Sequence, residues 1–141
     1  MTSGIRTALI VDDEAQLLRL LTRVLERAEY TVWPAETASE AIRLFSERED
    51  DFDLAVIDVM MPGGGAATIL PKLWDRRPDL RVILTSGDAL PTEFETLLAT
   101  GIGQFLRKPF VPKTLLRMLS EGDPEAERTV GEATRILPGS A

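Results

Sequence analysis

Short apolar runs alternate with longer amphipathic segments between residues 6 and 120 of the chain. Five runs are rich in aliphatic residues and too short for helices, and they are predicted to be buried strands: 8–11, 31–33, 53–57, 81–85 and 104–107. Between and after them, apolar residues recur at spacings of three and four, which predicts helices over 14–28, 38–45, 66–76, 93–100 and from about 112 to 119.

Polar residues mark the expected helix ends. Asp13 is the predicted N-cap of the first helix, and Gly101 is the predicted C-cap of the fourth. Two Thr-x-x-Glu pairs are predicted capping boxes: Thr37 with Glu40, and Thr92 with Glu95. Pro112 occupies a favoured first-turn position of the last helix.

The strict alternation of strand and helix predicts an α/β fold with a parallel sheet and helices on both of its faces. Ligands of such folds bind beyond the carboxyl ends of the strands, so chemically active residues should follow strands directly. The pattern stops at 122–124, and residues 121–141 are predicted to be a mobile tail or a short docked helix. One domain over 6–120 is therefore expected.

Composition removes several classes of function. The 141 residues include no cysteine and no histidine, which excludes disulfides, zinc fingers, thiol catalysis and a Ser-His-Asp triad. A formal charge of −7 argues against binding DNA by general charge attraction. Without an apolar stretch of membrane length or a signal peptide, the expectation is a cytoplasmic protein that does not associate with membranes.

Three carboxylates follow two of the predicted strands. Asp12 and Asp13 come after the first strand and Asp58 after the third, and these strands are neighbours in a sheet that winds outward from its first strand. Packed closely, the carboxylates would repel unless a cation compensated them. Oxygen ligands of this kind suit Mg²⁺. The strand ends therefore predict a magnesium site.

Hydroxyl groups and an ammonium group follow the remaining two strands. Thr85 and Ser86 end the fourth strand, and Lys108 follows the fifth. An ammonium group can bind a phosphoryl oxygen as a point charge, and a hydroxyl can donate a hydrogen bond to another. A metal, a nucleophilic carboxylate and two such groups favour phosphoryl transfer.

Five landmarks occur in the order found in one known family: 10–14 (IVDDE), 57–58 (ID), 61–62 (MP), 84–87 (LTSG) and 105–110 (FLRKPF). Residues 6–120 thus resemble the receiver domain of bacterial two-component response regulators. The resemblance implies a flavodoxin-like doubly wound sheet with strand order 2-1-3-4-5 and five helices.

The resemblance also implies the acceptor and the metal ligands. Asp58 would be the phosphoacceptor. Asp13 and Asp58 would bind Mg²⁺ directly, Asp12 would bind it through water, and the backbone carbonyl of Met60 would supply a further ligand.

Three residues would bind the phosphoryl group or respond to it. Lys108 would form a salt bridge to the phosphoryl group, and Ser86 would be the hydroxyl residue that moves toward it, with Thr85 as the rival. Phe105 occupies the position of an aromatic switch residue.

The chain departs from the family pattern in the loop after Met61-Pro62. The family usually has glycine four residues after this proline, but the chain has Ala66 there, preceded by Gly63, Gly64 and Gly65. The loop is therefore expected to follow a path different from the usual one. Met60 and Asp88 are at positions that resemble those tuning phosphoryl lifetime, so substitutions there should change the dephosphorylation rate.

The predicted function is a phosphoryl-accepting signalling switch that catalyses only its own phosphorylation and dephosphorylation. A sensor histidine kinase or phosphotransfer protein would be the donor, because the chain has no histidine of its own. The output would be a downstream protein target, recognised by a face of helix four, strand five and helix five that could also form a homodimer.

Three alternatives bear on this prediction. A receiver-like interaction module without phosphorylation is opposed by the complete set of site residues. A phosphohydrolase resembling the haloacid dehalogenase group would need aspartate where the chain has Met60, and a GTPase or kinase would need a Gly-x-x-x-x-Gly-Lys-Ser/Thr loop that the chain lacks.

The output arrangement stays open at this level. About twenty residues follow position 120, too few for a DNA-binding effector domain, so this chain is not expected to bind DNA directly. It would be a stand-alone regulator or a fragment of a hybrid kinase or larger regulator, and the initial Met1 favours the former.

Overall fold

A computed structural model describes residues 6–99 and 103–121. The strands are β1 (Arg6–Val11), β2 (Tyr30–Ala35), β3 (Leu54–Asp58), β4 (Arg81–Ser86) and β5 (Gly103–Arg107). The helices are α1 (Ala15–Arg27), α2 (Ala38–Glu47), α3 (Ala66–Arg76), α4 (Thr92–Ala99) and α5 (Pro112–Glu121). A short 3-10 turn covers Glu49–Asp51.

The five strands form one parallel sheet in the order β2-β1-β3-β4-β5, as predicted. The register brings the carboxyl ends of neighbouring strands level with one another. Val11 pairs with Ile57, so Asp12 and Asp58 both come next along neighbouring strands, and Asp58 in turn pairs with Thr85. The residues with predicted chemistry therefore gather at one edge of the sheet.

Two apolar layers cover the sheet, one on each face. Side chains alternate along each strand, so Leu9 of β1 packs in the layer under α2, α3 and α4, whereas Ile10 packs in the layer under α1 and α5. Phe45 of α2 and Phe52 stack with ring centroids 5.5 Å apart in the first layer. This two-sided burial explains why the strands appear in the sequence as short, nearly continuous apolar runs.

The most extended difference from the predicted strands is in β2, which continues through Pro34 to Ala35. A proline ends most interior strands because it lacks an N–H. Since β2 lies at the edge of the sheet and pairs only with β1, Pro34 is tolerated there. β1 begins two residues before its predicted start, and the ends of the other three strands lie within one residue of the prediction.

Asp13 is not the N-cap of α1, so this prediction is wrong. The cap position is Glu14, whose side chain makes no capping hydrogen bond. The N–H of Glu14 donates instead to Asp12 Oδ1 at 2.9 Å, and Asp13 is exposed. The local turn is thus made by the first carboxylate of the pair, which leaves the second facing solvent.

The capping box of α2 is confirmed in a shifted form. Thr37 Oγ1 accepts from the N–H of Glu40 at 3.1 Å, whereas Glu40 Oε1 accepts from the N–H of Glu36 at 3.0 Å rather than from that of Thr37. Thr92, the predicted cap of α4, is the first residue of that helix. Gly101 lies outside the described residues, as does the predicted tail of 121–141 except for Glu121, which is the last residue of α5.

Arg81, the first residue of β4, ties the sheet to the end of α5. Its guanidinium group donates to the backbone carbonyls of Met118 and Leu119, and also to Gln104 Oε1 at 2.9 Å. These carbonyls belong to the last turn of α5, where helical partners run out. Within the described ranges, no helix is both long and apolar enough to cross a membrane.

Candidate functional site

Asp12, Asp13 and Asp58 meet at the carboxyl edge of the sheet. Each offers a carboxylate oxygen, and the three oxygens lie within 4.8 Å of one another. Asp12 is fully buried and Asp58 is 4% exposed, whereas Asp13 faces solvent. Charges in such proximity are costly without a cation, so the cluster is suited to bind one.

Lys108 places its ammonium group among these carboxylates. Nζ lies 3.0 Å from Asp12 Oδ2, 3.1 Å from Asp58 Oδ2 and 3.5 Å from Glu14 Oε1. The backbone N–H of Lys108 donates to the carbonyl of Ser86 at 2.9 Å, which fixes the start of this loop against β4. Glu14 was not among the predicted site residues, although its position directly after the acidic pair was a usable signal.

Burial raises the pKa of Asp58 above its ordinary value, because the charged form loses hydration. The N–H of Met60, 3.1 Å from Asp58 Oδ1, and the ammonium group of Lys108 act in the opposite direction. The negative charge of Asp12 adds to the increase. Asp58 is therefore a carboxylate whose ionisation depends on the two donors that contact it.

Burial acts to lower the pKa of Lys108, but its hydrogen bonds and charge interactions with Asp12 and Asp58 outweigh this effect. The net result is a pKa above the ordinary value for lysine. Lys108 consequently stays protonated in the physiological range and remains a cation at the site.

The donor set fits a hard divalent cation. Asp12 Oδ2 is buried and forms an ion pair with Lys108 Nζ at 3.0 Å, but among the described residues it has no hydrogen-bond partner with well-aligned geometry. A buried carboxylate oxygen usually has such a partner, and a magnesium ion or its bound water would satisfy this one. Met60 lies two residues after Asp58 and is 61% exposed. The role of its carbonyl as a metal ligand stays a prediction.

Ser86 and Thr85 are both buried at the end of β4. Ser86 Oγ accepts from the N–H of Asp88 at 3.1 Å, whereas the carbonyl of Thr85 accepts from the N–H of Val59 at 2.8 Å. Phe105 is buried in the apolar layer under α2, α3 and α4. The structure thus places all the predicted switch residues, and their roles remain predictions.

The family model described as the response regulator receiver domain matches residues 8–120. The regulatory protein VanR of Enterococcus faecium is 36% identical over 110 residues, which are 77% of this chain and 46% of VanR. The chain spans less than half the length of this and other curated relatives that it matches.

Solved structures give the same family and fold. A CheY-like receiver domain protein from Methanospirillum hungatei JF-1 superposes with a TM-score of 0.76 at 28% identity, covering 89% of this chain and 99% of that one. The CheX-CheY complex with BeF3 and Mg²⁺ from Borrelia burgdorferi has a TM-score of 0.76 at 23% identity, covering 85% and 91%, and shows likeness of fold alone.

The match covers more than half of the chain and includes every strand that bears a site residue. The strand order and the convergence of Asp12, Asp13, Asp58 and Lys108 agree with it. The chain belongs to the response regulator receiver domain family, the phosphoryl-accepting signalling switches of two-component systems.

Proposed function

We propose that Asp58 accepts a phosphoryl group from a phosphohistidine on a partner kinase or phosphotransfer protein. The observation that carries this proposal is the setting of its carboxylate. Oδ2 lies 3.1 Å from Lys108 Nζ and Oδ1 accepts from the N–H of Met60, within a cluster of three carboxylates. The donor lies outside these 141 residues, because they contain no histidine.

The reaction forms a bond between a carboxylate oxygen of Asp58 and phosphorus while the phosphorus–nitrogen bond of the donor breaks. The electron pair of that bond stays on the departing imidazole, which becomes neutral when it takes up a proton. Lys108 is close enough to Asp58 to follow the new phosphoryl oxygens and neutralise their charge. The same ammonium group favours the ionised, nucleophilic form of Asp58 beforehand.

Asp12, Asp13, Asp58 and the carbonyl of Met60 are the groups that would hold Mg²⁺. When bound, the ion supplies positive charge to the carboxylates and to the phosphoryl oxygens. The BeF3 and Mg²⁺ named with the Borrelia receiver support this part of the proposal.

Ser86 and Phe105 would carry the change away from the site. The Ser86 hydroxyl, which now accepts from the N–H of Asp88, would turn and donate to a phosphoryl oxygen. Phe105 lies in β5, one strand from Ser86, so a change at either would alter the face of α4, β5 and α5. A downstream protein target, or a second copy of the chain, would then bind this face differently.

Labelling with acetyl phosphate in Mg²⁺ tests the acceptor directly. We expect stoichiometric, acid-stable and base-labile labelling of the parent chain, and its complete loss in Asp58→Asn. Asp75→Asn, which changes an exposed acid of α3, is the matched control and should label as the parent does. Full labelling of Asp58→Asn would overturn the assignment, and a parent chain that binds Mg²⁺ without labelling would favour the unphosphorylated interaction module.

A further inference from the structure

The loop between β3 and α3 makes an unusually close backbone contact at Gly65. A Cβ atom at this position would lie 2.4 Å from the carbonyl oxygen of Val59, 2.8 Å from its carbonyl carbon and 2.7 Å from the carbonyl oxygen of Asp58. Among the described glycines, Gly64 would instead meet the side chain of Thr68, and Gly63 would meet nothing within 4 Å. Of these three glycines, only Gly65 has backbone atoms in the space that a Cβ atom would occupy.

The Val59–Met60 peptide group lies between Gly65 and the carboxylate of Asp58. The Val59 carbonyl and the Met60 N–H belong to one planar group. Its oxygen faces Gly65, and its N–H donates to Asp58 Oδ1 at 3.1 Å. A push on the oxygen would therefore rotate the N–H away from the carboxylate.

Neither side of this contact can easily move away. The N–H of Val59 donates to the carbonyl of Thr85 at 2.8 Å, which holds the end of β3 against β4. Gly65 is the N-cap residue of α3, and its carbonyl accepts from the N–H groups of Thr68 at 3.0 Å and Ile69 at 3.1 Å. A side chain at Gly65 would have to displace a sheet hydrogen bond, a helix start or the intervening peptide.

We infer that Gly65 is a positioning residue for the reaction of Asp58: its missing side chain lets the loop rest on the Val59 carbonyl and keeps the Met60 N–H directed at the phosphoacceptor. This inference rests on the proposed function. It also accounts for Ala66 at the position where the family usually has glycine. The structure accommodates the buried Cβ of Ala66, because the close backbone contact is made one position earlier, at Gly65.

The test compares Gly65→Ala with Gly63→Asn. Asparagine tolerates the positive φ of +81° at Gly63 better than most residues, and space is open there. At saturating Mg²⁺, we expect Gly65→Ala to slow phosphorylation by acetyl phosphate about tenfold or more, and Gly63→Asn to leave the rate within about twofold. Misplacement of the N–H should also shift the ¹⁵N and ¹H resonances of Met60 in Gly65→Ala, a change that a uniform loss of stability would not produce.

A Gly65→Ala variant that folds, labels at the parent rate and keeps the Met60 resonance would overturn the inference, as would equal slowing by Gly63→Asn. If Gly65→Ala does not fold, the same substitution is made in the Asp58→Asn variant, which lacks a buried charge. The Met60 chemical shifts of Asp58→Asn and Asp58→Asn/Gly65→Ala are then compared, and unchanged shifts would overturn the inference. Persistent labelling of Asp58→Asn would instead overturn the proposed function, so the two failures are distinguishable.

Discussion

Lys108 Nζ lies 3.1 Å from Asp58 Oδ2, so the cation expected to bind the phosphoryl group already neutralises the carboxylate that would receive it. The same Nζ lies 3.0 Å from Asp12 Oδ2. Lys108 is therefore an internal counterion of the metal-free site as well as a candidate phosphate ligand. Its removal should affect stability, metal binding and reactivity in different directions.

Lys108→Met should lower the stability of the metal-free chain by about 1–3 kcal/mol, because two buried carboxylates lose their partner. It should tighten Mg²⁺ binding roughly tenfold, because a like charge leaves the cluster. Phosphorylation at saturating Mg²⁺ should fall about a hundredfold. Urea unfolding, calorimetric titration and acetyl phosphate labelling measure the three effects, and weaker Mg²⁺ binding would contradict the counterion role.

Asp58 should make metal-free stability depend on pH. Its folded-state pKa is raised above 3.8, so its stabilising contribution is complete below 3.8 and is lost as pH rises through the folded-state value. In buffer with a chelator, Asp58→Asn should therefore be more stable than the parent at neutral pH, by a margin that shrinks as pH falls toward 3.8. Denaturant unfolding across this range gives the difference, and a margin that grows on acidification would contradict the prediction.

Asp13 should matter for metal binding and little for the fold, because it is the exposed member of the carboxylate cluster. Mg²⁺ at 100 times its dissociation constant should stabilise the parent by about 2.7 kcal/mol. Asp13→Asn should lose most of this gain while its metal-free stability changes by less than about 0.5 kcal/mol. Thermal melts with Mg²⁺ and with chelator check both parts, and an undiminished gain would exclude Asp13 as a ligand.

Met60 and Asp88 should set the lifetime of the phosphoryl group. The Met60 side chain is 61% exposed beside Asp58, and the N–H of Asp88 holds the Ser86 hydroxyl. An apolar side chain cannot orient an attacking water, so Met60→Gln should speed dephosphorylation, and Asp88→Asn should change its rate. Loss of label after removal of the donor measures both; decay at the parent rate in both variants would contradict this role.

Sequence pattern sufficed for the parallel sheet and the convergence of the acids, because parallel strands place the residues after Val11 and Ile57 at one edge. The strand order came from the family resemblance. The sequence did not predict the start of α1, which depends on which of two neighbouring carboxylates forms a local hydrogen bond. Asp13 and Asp12 are both suitable helix-start residues, and only the structure shows that Asp12 accepts from the Glu14 N–H.

The contact of Gly65 with the Val59 carbonyl illustrates the same limit in the loop. Three successive glycines indicate a permissive segment, but they do not show which of them a backbone contact requires. Likewise, the sequence placed Lys108 at the correct edge without showing that it contacts both buried carboxylates at once.

The attachment of α5 by Arg81 has a mechanical consequence. The guanidinium group holds the last turn of the helix to the start of β4, at the edge of the sheet opposite Lys108. The first turn, at Pro112, lies a few residues after Lys108, and Leu115 next to it is fully buried in the apolar layer. A displacement of Lys108 would therefore reach α5 through its first turn, whereas the guanidinium contact restrains its last turn.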